Sequence, residues 1–135
     1  MRDNNPQLIL KNAQTILLVD WPDADVPRLL VSAGFMVFGY SPDNYTSIGF
    51  RADGGGLVFT KVPDGPGQVD IVNVFRPEEE HAGIIARHVL PLKAKVLWLH
   101  PPVTAAKTAA FAKENGLVFV DRIDITVVAN ELSAK

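Results

Sequence analysis

A nearly continuous apolar run, from Val69 to Phe75, is the strongest structural signal in the chain. Such a run is typical of a parallel strand that helices cover on both faces. Arg76, Pro77 and three glutamates follow it, and this order favours the start of a helix. Open α/β sheets bind ligands where a strand passes into the next helix, at the carboxyl ends of the strands. Arg76 stands at that position, so we predict that it contacts a ligand.

Shorter apolar runs predict four further strands, at residues 15–19, 35–40, 95–99 and 117–120. Helical spacing and end signals predict helices at about 6–12, 26–33, 77–90, 104–115 and 125–132, and residues 57–59 could form a short edge strand. This alternation indicates parallel strands joined by right-handed crossovers. We therefore predict an α/β fold with a Rossmann-like, doubly wound, mostly parallel five-stranded sheet and helices on both faces. The 69–75 strand should be central, between the strands at 15–20 and 95–100.

Composition narrows the class of protein. The 135 residues fit one domain, spanning 1–135, with 47% hydrophobic residues. The net charge of −2 leaves no basic footprint for nucleic acid or an anionic membrane surface. The absence of cysteine excludes disulfides and thiolate catalysis. No apolar stretch near the start is long enough for a signal sequence or a membrane span, so we expect a cytoplasmic protein.

Five segments, in this order and spacing, carry a resemblance to a known family: residues 10–16 (LKNAQTI), 69–76 (VDIVNVFR), 93–99 (KAKVLWL), 114–117 (ENGL) and 120–122 (VDR). The chain resembles the small single-domain CoA-binding proteins, which are relatives of the CoA-binding domain of the succinyl-CoA synthetase α subunit. The resemblance implies a CoA, acyl-CoA or related nucleotide ligand at the carboxyl edge of a Rossmann-like sheet.

The loop after the first strand departs from the family pattern. Relatives place a glycine and small residues there, whereas residues 19–25 of this chain read VDWPDAD. Glycine lets the backbone approach a pyrophosphate and direct N–H groups toward it. Trp21 adds bulk, Pro22 removes a donor, and Asp20, Asp23 and Asp25 place negative charge near a phosphate. The glycine loop is therefore degenerate, and the alternative is a family member that has lost the nucleotide and acts as a protein-interaction or regulatory subunit.

The residues predicted to line the ligand site all lie at the carboxyl ends of the predicted strands. They are Asp20, Trp21, Pro22, Ala24, Val26, Ser41, Pro42, Phe75, Arg76, His100 and Pro101. Two of them have competing interpretations. Arg76 either binds an anionic ligand or pairs with Asp121 or Glu80. Trp21 either stacks on an adenine or lies over the first strand's end as a plug.

No catalytic or metal-binding set stands out, so a non-catalytic module is the leading hypothesis. An enzyme that uses His100 and Arg76 on a small acid is a weaker alternative. His81 and His88 are too far apart on one helix to share a metal ion, and we expect both at the surface or half-buried. The carboxylates near residue 20 could bind a hard cation, but Asp25 is more simply the N-cap of the following helix, and Thr104 is the predicted N-cap of a later one.

Overall fold

The computed structural model describes residues 5–41, 45–53, 56–61 and 66–133. Its strands are β1 (Thr15–Val19), β2 (Met36–Ser41), β3 (Tyr45–Asp53), β4 (Gly56–Lys61), β5 (Ile71–Val74), β6 (Val96–Leu99) and β7 (Val118–Val120). Its α-helices are α1 (Pro6–Lys11), α2 (Asp25–Ser32), α3 (His81–Ile84), α4 (Ala106–Glu114) and α5 (Ile125–Ser133). A 3₁₀ turn at Glu78–Glu80 precedes α3, and a π-helical turn at Ile85–Val89 follows it, so one helical segment covers most of the predicted 77–90 helix.

The strands form one sheet in the order β4-β3-β2-β1-β5-β6-β7. The pairs β2–β1, β1–β5, β5–β6 and β6–β7 are parallel, which confirms the predicted doubly wound sheet. β5 lies between β1 and β6, as predicted. The predicted count of five strands is wrong, because β3 and β4 add an antiparallel hairpin beside β2. β4 extends the predicted edge strand at residues 57–59.

Helices cover both faces of the sheet and enclose two apolar layers. On one face, alternate residues of β1, β5 and β6 pack against the 81–89 helical segment and α4; they are Leu17, Val19, Val72, Val74, Leu97 and Leu99. On the other face, Ile16, Leu18, Ile71 and Trp98 pack against α1, α2 and α5. Strands buried on both faces need nearly unbroken apolar sequence, which is why these runs could be recognised.

The helix ends follow local rules in most places. The Asn5 side chain accepts hydrogen bonds from the N–H groups of Gln7 and Leu8 at the start of α1. Gly34 follows α2 with φ of 100°, the left-handed conformation that a terminating glycine supplies. The Thr104 cap is wrong: α4 begins at Ala106, and its N-cap residue, Ala105, makes no side-chain cap hydrogen bond.

The helices are short compared with the thickness of a lipid bilayer. In the described ranges of the chain, none of them combines the length and apolar character needed to cross one.

Candidate functional site

The candidate site lies at the carboxyl edge of the sheet, between β1 and β5. From β1 the chain crosses to β2 on one side, whereas from β5 it proceeds to β6 and β7 on the other. This reversal is the topological switch point at which open α/β sheets place their ligands. Backbone hydrogen bonds fix the edge: Asp20 N–H donates to the Tyr40 carbonyl at 2.8 Å, and Phe75 N–H donates to the Val19 carbonyl at 3.0 Å.

Asp20 is the first residue after β1 and has a left-handed backbone, with φ of 62°. Asp is one of the few non-glycine residues that adopt this conformation with any frequency. Its Oδ1 accepts a hydrogen bond from the Trp21 backbone N–H at 3.1 Å, and its Oδ2 accepts one from Arg76 Nη1 at 2.9 Å. The turn therefore keeps a conformation suited to glycine, while the Asp20 side chain bonds the loop amide and an arginine from across the switch point.

Arg76 is held on a second side by Glu80. Its Nε and Nη2 donate to the two carboxylate oxygens of Glu80 at 2.9 and 2.7 Å, a bidentate pair. Hydrogen bonding to Arg76 lowers the pKa of Glu80 below its usual value. The predicted pairing of Arg76 with Glu80 is confirmed. Asp121, the other predicted partner, has its Oδ2 3.7 Å from Arg122 Nε. With only 18% of its side chain exposed, Arg76 is a partly desolvated cation between two carboxylates.

His81 fixes the backbone of Arg76 and was missed as a site residue. The structure buries it, which corrects the expectation of a surface or half-buried residue. Its Nε2 lies 2.7 Å from the Arg76 carbonyl, and its Nδ1 lies 2.7 Å from the Thr108 hydroxyl. A carbonyl can only accept, so Nε2 carries the proton and, in the neutral ring, Nδ1 accepts from Thr108. His81 thereby connects α4 to the residue at the switch point.

Trp21 packs on the sheet beside the site. Its ring meets Phe50 edge to face, with centroids 5.3 Å apart, and rests on the backbone at Gly39. A Cβ built on Gly39 would lie 2.8 Å from a Trp21 ring carbon and 2.7 Å from a Phe50 ring carbon. This placement, on β2 and β3, differs from the predicted plug over the end of β1. Gly39 was not predicted as part of this region, although an isolated glycine inside a strand often marks such a close approach.

The start of α2 is bonded within the protein. The Asp23 side chain accepts from the Asp25 N–H at 3.0 Å, and the Asp23 carbonyl accepts from the Val26 N–H at 3.3 Å. Asp25 was predicted to be the N-cap of this helix, but it is the first helical residue, and the N-cap is Ala24. Pro22 and Ala24 are exposed, whereas the Val26 side chain belongs to the core.

A second polar cluster lies one strand farther along the edge, around His100. Its Nδ1 is 3.4 Å from Asn73 Nδ2, its Nε2 is 3.9 Å from Asp124 Oδ2, and its ring meets Phe75 edge to face with centroids 5.7 Å apart. Burial lowers the pKa of His100, although Asp124 and Asp23 act in the opposite direction. Asn73 Oδ1 is buried and has no hydrogen-bond partner among the described residues. The His100 ring is therefore enclosed by Asn73, Phe75 and Asp124 at the end of β6.

Arg76 is an anchored cation at the switch point, and the carboxylates of Asp20 and Glu80 contact it. Of the other predicted site residues, Ser41 is buried at the end of β2 and Pro101 is partly exposed after β6. Pro42 lies outside the described residues. Among the residues that the structure describes, no group of three or more His, Asp or Glu side chains is placed to hold a metal ion.

Comparison with known proteins adds to this geometry. A family model described as a CoA binding domain matches residues 21–126, most of the chain, and the match begins directly after Asp20. The chain is similar in structure to cell-free ID.343 from Thermus thermophilus, with a TM-score of 0.72, 24% identity and coverage of 98% of this chain and 99% of that one. It is also similar to Prb, a protein redesigned for binding, with a TM-score of 0.73, 20% identity and coverage of 100% of this chain and 94% of that one. A hypothetical protein from Pyrococcus horikoshii OT3 is similar with a TM-score of 0.70, 18% identity and coverage of 98% of this chain and 92% of that one. At these identities the structures support the fold alone. No curated protein matches the sequence.

Proposed function

The chain belongs to the CoA-binding domain family, and we propose that it is a non-catalytic, single-domain module that binds CoA, acyl-CoA or a related nucleotide at the carboxyl edge of its sheet. The observation that carries the proposal is the position of Arg76. Arg76 has a partly buried guanidinium at the switch point, the position at which open α/β sheets generally bind their ligands. Arginine suits phosphate recognition because its planar fork can donate two parallel hydrogen bonds.

The anchoring of Arg76 supports a binding role. His81 holds its carbonyl, and Glu80 holds Nε and Nη2, so the guanidinium is oriented before any ligand arrives. Preorganisation of this kind reduces the side-chain ordering that binding would otherwise require. A phosphate would compete with Asp20 for Nη1, the nitrogen that faces the β1 loop.

The competing candidate is a protein-interaction or regulatory subunit that no longer binds a nucleotide. The specific observation in its favour is that carboxylates contact Arg76 from two sides and that Asp23 bonds the first N–H of α2. Under this alternative the network is a structural tie across the switch point, and the family ligand has no role.

Thermal melting in the presence of CoA distinguishes the two. A ligand at about 100 times its Kd adds roughly 2.7 kcal/mol of stability, on the order of ten degrees in Tm for a chain of this size. Because Asp20 competes for the arginine, we expect a rise of only a few degrees at millimolar CoA. Arg76→Ala should abolish the rise, whereas Arg87→Ala, which removes an exposed arginine farther along the same helical segment, should preserve it.

The ligand panel decides between the proposals. It comprises CoA, acyl-CoA, pantetheine and the adenine and nicotinamide nucleotides. A Tm that does not move with any of them would replace the CoA-binding proposal with the interaction-subunit alternative. A CoA-dependent rise that survives Arg76→Ala would show that the ligand binds elsewhere.

A further inference from the structure

One carboxylate bridges the two hydrogen-bond donors that face each other across the switch point. Asp20 Oδ1 accepts a hydrogen bond from the Trp21 N–H at 3.1 Å, and Asp20 Oδ2 accepts one from Arg76 Nη1 at 2.9 Å. A backbone amide just after the first strand and a guanidinium opposite it are donors suited to a phosphate. The Asp20 side chain therefore stands where the oxygens of an anionic ligand would be bonded.

The backbone holds this carboxylate in place. Asp20 has φ of 62°, and its own N–H donates to the Tyr40 carbonyl at 2.8 Å, so the residue is tied to β2. Its side chain is 26% exposed and that of Arg76 is 18% exposed, so water screens the pair only partly. An entering phosphate would have to break both Asp20 hydrogen bonds and then lie beside a negative charge.

We infer that Asp20 is a specificity-determining residue whose carboxylate substitutes for a ligand phosphate at the switch point. It selects against ligands that place a phosphate there, and it leaves phosphate-free parts of a ligand unaffected. The inference rests on the proposed function and deepens it, because it assigns the specificity of the same site to one side chain.

Glu80 has a different part in this arrangement. It bonds Nε and Nη2, the side of the guanidinium away from Asp20, and the contacts described for it do not include the β1 loop. Glu80 is a positioning residue that keeps Arg76 oriented when Asp20 is displaced. Removing its charge should therefore not open the phosphate position.

The test is calorimetric titration of the full chain and its Asp20→Asn variant with CoA, pantetheine and inorganic pyrophosphate. Asn is tolerated at positive φ and keeps an oxygen for the Trp21 N–H, so the change removes mainly charge. We expect Asp20→Asn to bind CoA at least 30-fold more tightly than the wild type, which corresponds to about 2 kcal/mol. The affinity for pantetheine, which has no phosphate, should change less than threefold. Asp20→Gly is a second variant with the same expected direction.

Two matched variants separate Asp20 from a general charge effect. Asp25→Asn removes one negative charge from the start of α2, where the carboxylate pairs with exposed Arg28 at 2.6 Å. Glu80→Gln removes the negative charge of the other carboxylate that bonds Arg76. Each should raise the CoA affinity less than threefold.

Equal CoA affinity in the wild type and both Asp20 variants would overturn the inference, as would an equal gain with pantetheine, Asp25→Asn or Glu80→Gln. Failure of the proposed function gives a different result: neither CoA nor pantetheine binds the wild type or any variant. Pyrophosphate still tests the inference in that case, because Asp20→Asn should bind it at least tenfold more tightly than the wild type, and an unchanged affinity would refute the assignment.

Discussion

Replacing Gly39 with alanine tests the packing that positions the loop beside the site. A Cβ at residue 39 would lie 2.7 Å from a Phe50 ring carbon and 2.8 and 2.9 Å from two Trp21 ring carbons. Carbon atoms do not approach one another this closely without strain, so a ring or the strand must move. Overpacking of this kind costs about 1–3 kcal/mol.

Alanine also has an advantage over glycine, because it loses less conformational freedom on folding, by about 0.5–1 kcal/mol. A matched control isolates that term. Gly83 lies in α3 and is exposed, and a Cβ added to it would meet no described residue within 4 Å apart from its chain neighbours and the backbone of its own helix. Gly83→Ala should therefore gain the backbone term without a clash, and the two variants should differ by about 1–3 kcal/mol, or roughly 4–12 °C in Tm.

Urea unfolding and tryptophan emission measure the result. If Trp21 is driven off the sheet, its emission should move to longer wavelength, while buried Trp98 contributes a constant background. Trp21→Leu removes part of the clash, so a double-mutant cycle with Gly39→Ala should give a coupling free energy of about 1 kcal/mol. The account of the packing would be refuted if Gly39→Ala had the same Tm as Gly83→Ala and the same tryptophan emission as the wild type.

The parallel part of the fold could be predicted because its signals are local. β1, β5 and β6 are buried on both faces, so their sequences are apolar almost throughout. The helix α5 forms against the preference of its own residues, because Ile125, Thr126 and Val128 are β-branched. It is stabilised because Ile125 and Val128 pack into the core, and the Asp124 side chain accepts from the Thr126 N–H at 2.8 Å.

The β3–β4 hairpin could not be predicted in the same way. β3 contains Gly49 and few β-branched residues, and Arg51 is exposed. The stability of β3 depends on its hydrogen bonding to β2 and β4. A short window of sequence carries no information about this pairing. The β2–β3 pairing also shifts its register between Gly39 and Ser41.

The site was predicted by position and missed in its contacts. The predicted strand ends identified Asp20 and Arg76 separately, because the two residues are 56 positions apart in the sequence. The β1–β5 register brings Arg76 Nη1 to 2.9 Å from Asp20 Oδ2. His81 was misjudged because its burial depends on α4, which supplies Thr108. Local patterns thus identify which residues reach an edge, whereas the packing of distant elements determines which of them are already paired.

Two further predictions concern the elements that support this edge. Asp70 Oδ2 accepts from the N–H groups of Gln14 and Thr15 at 2.8 and 3.0 Å, so Asp70→Ala should lower the free energy of unfolding in urea by about 1–3 kcal/mol, and a loss below about 0.5 kcal/mol would contradict a structural role. Burial lowers the pKa values of His100 and His88, so on acidification the unfolded chain takes up protons before the folded chain does. Stability should therefore be complete above about pH 6.5 and fall as the pH decreases below it, with a slope of at most about 1.4 kcal/mol per pH unit for each histidine. In urea unfolding between about pH 5 and 8, His100→Gln should remove part of that slope and leave the contribution of His88, because the two side chains lie in different parts of the fold; a slope identical to the wild type would show that His100 is not held neutral by burial.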